Sequence, residues 1–118
     1  MNNVLLLAFL EDWQMSARLA KLSSLFSYDL IFYENSLEIS SLDPKILVII
    51  DIDNISKDEF QNLELLKEKN IIFIIGYCEK LDNREIPRLK KIGYDMIISH
   101  KNLLNNLEVI VKQIINAS

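Results

Sequence analysis

The chain has 118 residues, half of them hydrophobic and a quarter charged, with 13 lysines and arginines against 17 aspartates and glutamates. That length and composition suit one globular domain, residues 1–118, with a single sizeable core. A net charge of −4 argues against a nucleic-acid surface, only two glycines leave little room for a phosphate cradle, and the lone Cys78 excludes an internal disulfide.

The first apolar run, residues 4–10 (VLLLAFL), has no basic flank ahead of it, and Glu11 and Asp12 follow at once. It is too short for a membrane span and wrong for a signal peptide, so it reads as the buried first strand of a cytoplasmic protein. Met15, Leu19, Leu22 and Phe26 then fall on one face of a helix over residues 13–26, with Trp13, Ala17 and Ala20 off that stripe. Residues 28–33 (YDLIFY) form a second strand. Residues 36–42 form a short helix stopped at Asp43-Pro44, because proline disfavours helix in the residue before it.

Residues 45–54 (KILVIIDIDN) carry the strongest signal. An unbroken apolar run, rich in β-branched residues, predicts a strand covered on both faces and ending at Asp51. Ser56 and Glu59 make a capping box for a helix to about residue 69, with Phe60, Leu63 and Leu66 inward. Residues 71–77 (IIFIIGY) are a second doubly buried strand. A helix over 83–92 must hold Pro87 in its first turn and end at Gly93, which is free to take positive φ. Residues 96–99 make a fifth strand, and Asn102 is expected to cap a last helix over 103–115. Leu103, Leu104, Leu107, Ile110, Val111, Ile114 and Ile115 form its broad apolar stripe, which Val109 alone leaves.

Five β-α units predict an α/β fold: a doubly wound, five-stranded parallel sheet, flavodoxin-like, with right-handed crossovers and helices on both faces. The common order for such a sheet is 2-1-3-4-5, with the ligand crevice between strands one and three. Asp51 then ends the central strand beside Glu11 and Asp12. Paired carboxylates at 4 Å repel by about 4 kcal/mol at an effective dielectric near 20. They stay apart, one keeps its proton, or a divalent cation such as Mg²⁺ sits among Glu11, Asp12 and Asp51.

In length, in its five β-α units and in the run LVIIDIDN ending on an acid, the chain resembles the receiver domain of bacterial two-component response regulators. Tyr28, Glu34-Asn35 and the segment Lys91-Ile92-Gly93-Tyr94-Asp95 add to the likeness. The resemblance implies that Asp51 is the phosphoacceptor and that an acidic pair after strand one holds Mg²⁺. Counting back from the helix stripe puts that pair at Leu10-Glu11 or, with one gap, Glu11-Asp12; counting from the N-terminus gives Ala8-Phe9. Several family positions are altered. The hydroxyl expected at the end of strand four falls on Gly76 or Cys78, the aromatic of strand five on Ile97, and the lysine after it on His100, with Lys101 next. A neutral imidazole is a poor phosphate counter-ion at pH 7.

Plainer readings stand beside these. Asp51 can be a polar strand end that accepts N–H groups from its turn, and Asp12 a helix cap. Cys78 can be a small buried hydrophobe, Asp53 and His100 loop residues, and Trp13 either a crevice-mouth residue or simply exposed. Arg84, Arg88, Lys90 and Lys91 form a basic cluster, either a solvated helix face or a docking surface for an acidic partner. The expectation is a stand-alone, divergent receiver-like signalling module, a pseudo-receiver of phosphorelay type and not an enzyme. It would act through protein contacts with a histidine kinase or a downstream signalling protein. The alternative is a working Mg²⁺-dependent phosphoacceptor. A third reading, a small flavodoxin-like ligand-binder or enzyme, lacks both glycine-rich loops and a His–acid–nucleophile set.

Overall fold

The computed structural model describes residues 4–9, 13–32, 45–54, 61 and 72–116. Five strands, β1 (Val4–Phe9), β2 (Asp29–Phe32), β3 (Lys45–Asp51), β4 (Ile72–Cys78) and β5 (Met96–Ser99), form one sheet in the order β2-β1-β3-β4-β5. Every neighbouring pair is parallel. Three helices are described: α1 (Trp13–Leu25), α2 (Ile86–Ile92) and α3 (His100–Asn116). The predicted helix over 36–42 lies outside the described residues, as does that over 56–69 apart from residue 61, which is helical.

Successive strand residues point to opposite faces, and here both faces are buried. Leu6, Ala8, Leu47, Ile49, Ile75 and Tyr77 pack on one side against Met15 and Leu19 of α1 and Leu103, Leu107, Ile110 and Val111 of α3. Leu5, Leu7, Ile46, Val48, Ile50 and Ile74 pack on the other side against Leu89 of α2 and Tyr94. Each fully buried leucine or isoleucine contributes about 1.5–3 kcal/mol relative to leaving it in water. The two clusters therefore clamp the central strands and fix where β3 ends.

Local chemistry sets the helix ends. After α1, the Tyr28 N–H donates to the Ser23 carbonyl at 2.7 Å and the Ser27 N–H to the Ser24 carbonyl at 3.3 Å. That pair of bonds is a Schellman closure, and it places Ser27 at φ 60°, a conformation glycine would take more cheaply. Pro87 stands in the first turn of α2, and Gly93 closes that helix at φ 142°, both as the sequence predicts. The helix is shorter than the predicted 83–92, because residues 83–85 form a turn. Asp95 then ties β5 to β4: its N–H donates to the Ile74 carbonyl at 2.9 Å, and its Oδ2 accepts from the Ile74 N–H at 2.8 Å.

One boundary differs with consequences for the site. The last helix begins at His100, not at residue 103, and Asn102 is not its cap. Ser99 Oγ accepts the Asn102 N–H at 3.3 Å, the bond an N-cap serine makes three residues ahead. A strand end and a helix start therefore meet with no loop between them.

Candidate functional site

Asp51 is the last residue of the most enclosed strand and is only 6% exposed. Its partner across β4 is Tyr77, and the Ile52 N–H still donates to the Tyr77 carbonyl at 3.0 Å before the chain turns away. Within that turn the carboxylate is already engaged. Oδ2 accepts from Asn54 Nδ2 at 2.6 Å, and Oδ1 accepts from the Asp53 N–H at 3.2 Å. This is an aspartate tying down the turn that follows it, the plainer of the two sequence readings.

Beside it lies a cleft of about 300 Å³ lined by Asp51, Asp53, Asn54, Tyr77, Glu79 and His100. It opens at the C-terminal edge of the sheet, where the switch-point rule places a site. Phe9 of β1 pairs with Ile50 of β3, so the chain leaves β1 at that same edge. Glu11 and Asp12 themselves lie outside the described residues. Among the described residues, no group of three His, Cys, Asp or Glu side chains could hold a metal ion.

The positions next to Asp51 are shaped by packing. At Gly76 an added Cβ would lie 2.6 Å from Ile52 Cδ1, 2.7 Å from Ile52 Cγ1 and 2.8 Å from Tyr94 Cδ1. A serine or threonine here would overlap both side chains unless they shift, so the glycine is favoured by close approach and not by φ. Ile97, opposite Gly76 in the register, packs with Ile52 on the same apolar cluster. Cys78 is buried, and its Sγ lies 3.5 Å from the Lys80 carbonyl. Burial, and after it the nearby charges of Asp53 and Asp51, push its thiol pKa up, which disfavours the thiolate a nucleophile needs. Burial and the Asp51 charge push the Tyr94 phenol up to about 12.

Of the two residues expected to stand in for the family lysine, only His100 reaches the Asp51 cleft, although both line a neighbouring groove. His100 lines the Asp51 cleft, its ring 6.2 Å from that of Tyr77. Lys101 lines a different groove with Arg18 and Lys21. Both lie in the first turn of α3, where successive residues are rotated by about 100° around the helix axis. The basic cluster is also changed by its surroundings. Arg84 pairs with Asp82 at 3.2 Å and Arg88 with Glu85 at 2.6 Å, which leaves Lys90 and Lys91 as exposed cations on α2. Trp13 is 75% exposed.

Sequence reasoning did not anticipate Ile52, Tyr94, Asn54 or Glu79 at this site. Asn54 carried a signal, since Asp-x-x-Asn is turn chemistry. The filling of the Gly76 position by Ile52 and Tyr94 required knowing how the turn folds back, which no local pattern encodes.

Searches with the sequence match no family model and no curated protein. The structure does have solved neighbours. A proposed pilus assembly-related protein of Burkholderia pseudomallei superposes with a TM-score of 0.63 at 16% identity, over 95% of this chain and 88% of that one. A proposed pilus assembly protein, CpaE, of Burkholderia thailandensis gives 0.60 at 17% identity, over 93% and 98%. The fold is a flavodoxin-like α/β sheet of order 2-1-3-4-5. At such identities the likeness carries the five-stranded architecture and not the chemistry of its edge. No described helix is long and apolar enough to cross a membrane.

Proposed function

We propose that the chain is a receiver-like signalling module that works through protein contacts, with Asp51 kept as a structural turn residue in place of a phosphoacceptor. The observation that carries this reading is the close packing at Gly76, one of the two positions, with Cys78, on which the family hydroxyl would fall: Ile52 and Tyr94 occupy the space a side chain at 76 would need. Three further features agree with it. The Asp51 carboxylate is bonded within its own turn, the Cys78 thiol is held protonated, and His100 takes the cleft position while Lys101 faces elsewhere. Assignment of the structural neighbours to pilus assembly suits a module that acts by contact within a multiprotein machine.

The competing reading is a working phosphoacceptor, favoured by the cleft of about 300 Å³ that opens at Asp51. Glu11 and Asp12 would then supply the cation-binding carboxylates. Titration with Mg²⁺ and then beryllofluoride, followed by amide chemical shifts, separates the two. The contact-module reading predicts no saturable shift at residues 51–54 and 76–78. A stoichiometric shift there, absent in Asp51→Asn, would establish the phosphoacceptor.

A further inference from the structure

The two basic clusters on this acidic protein are not equivalent. In the cluster that runs from the turn at Arg84 into α2, two of four cations are answered by Asp82 and Glu85. Between α1 and α3 lies a groove of about 650 Å³ with Leu22 and Leu104 at its base and Arg18, Lys21, His100 and Lys101 around it. No acid lines it. Arg18, Lys21 and Lys101 are exposed and make no ion pair among the described residues. Half-buried leucines ringed by unanswered cations are the pattern of an interface with an apolar centre and a charged rim.

We propose that this groove, and not the basic face of α2, docks an acidic segment of a protein partner. Apolar side chains of that segment would cover Leu22 and Leu104, and its carboxylates would meet Arg18, Lys21 and Lys101. Charge complementarity selects this occupant. A chain with net charge −4 carries here a groove whose charged side chains, among the described residues, are all basic, and an anionic partner gains from covering it. His100 lines both this groove and the Asp51 cleft, so a seated carboxylate shares an imidazole wall with that cleft. The proposal rests on the contact-module reading, but its test is separate, because phosphorylation of Asp51 would overturn that reading without altering peptide binding.

The experiment titrates the full chain into a fluorescein-labelled, 16-residue helical peptide with leucines at i, i+3, i+4 and i+7 spacing and glutamates flanking them. The same peptide with glutamine for glutamate serves as control. Saturable binding is expected at low salt, weakened about tenfold or more by 300 mM salt, by the glutamine control and by Lys21→Glu with Lys101→Glu. Lys90→Glu with Lys91→Glu should change it less than about twofold, since rim charges away from the site act weakly. The chain has one histidine, so the His100 ring resonance should shift as peptide is added. Far-UV circular dichroism checks that each variant folds. Absence of saturable binding up to millimolar peptide, or equal losses in the Lys90/Lys91 variant, would overturn the proposal. So would a dimer of the unliganded chain that Lys21→Glu with Lys101→Glu dissociates, because the occupant would then be a second copy.

Discussion

Restoring a hydroxyl at Gly76 is the perturbation that probes the site's packing most sharply. In Gly76→Ser the new Cβ meets Ile52 Cδ1 at 2.6 Å and Tyr94 Cδ1 at 2.8 Å, so both must move before the serine fits. Overpacking of this kind costs about 1–3 kcal/mol. Loss of glycine's unfolded-state freedom returns roughly 0.5–1 kcal/mol, because φ at Gly76 is one any residue can take. The net destabilisation is about 1–2 kcal/mol, or a fall in Tm of roughly 4–8 °C for a domain of this size. Two of the three closest atoms belong to Ile52, so in an Ile52→Ala background the cost should drop by about 1 kcal/mol as a measurable coupling. Thermal and urea unfolding of the four proteins give the cycle. A Gly76→Ser variant as stable as the parent, or one equally destabilised in both backgrounds, would refute the packing argument.

The remaining predictions concern the ends of elements and one buried phenol. Ser99→Ala should cost about 1 kcal/mol by loss of the α3 cap, whereas Asn102→Ala should cost clearly less, as measured by urea unfolding. Ser27→Gly should stabilise by roughly 0.5–1 kcal/mol, because Ser27 sits at φ 60° in the closure of α1. Tyr94, with its phenol raised to about 12, contributes stability that is fully present below its unfolded pKa near 10 and lost as pH rises toward 12. Unfolding followed at pH 9 and pH 11 should therefore show a smaller alkaline loss for Tyr94→Phe than for the parent.

Where an element's identity rests on its own residues, the sequence was readable. The runs ending at Asp51 and Cys78 could hardly be anything but doubly covered strands, and their order in the sheet followed from the β-α alternation. Pro87 and Gly93 bracketed α2 for reasons internal to proline and glycine. Asp51's location at the sheet edge was legible for the same reason. What escaped was nonlocal or depended on a boundary. Ser99 looked like a strand residue and so was not seen as a cap, which displaced Asn102, His100 and Lys101 from their roles. Ile52 read as one more apolar residue after an acid, yet its folding back over Gly76 sets what a side chain there would cost. The basic cluster at 84–91 was visible as composition, but the pairing of Arg84 and Arg88 with Asp82 and Glu85 needed geometry.

The central claim is that Asp51 holds a turn and does not take a phosphoryl group. Incubating the full chain with acetyl phosphate and Mg²⁺ and recording its intact mass tests that directly. The account predicts an unchanged mass for the parent and for Asp51→Asn alike. A stoichiometric gain of one phosphoryl group in the parent, abolished by Asp51→Asn, would contradict it.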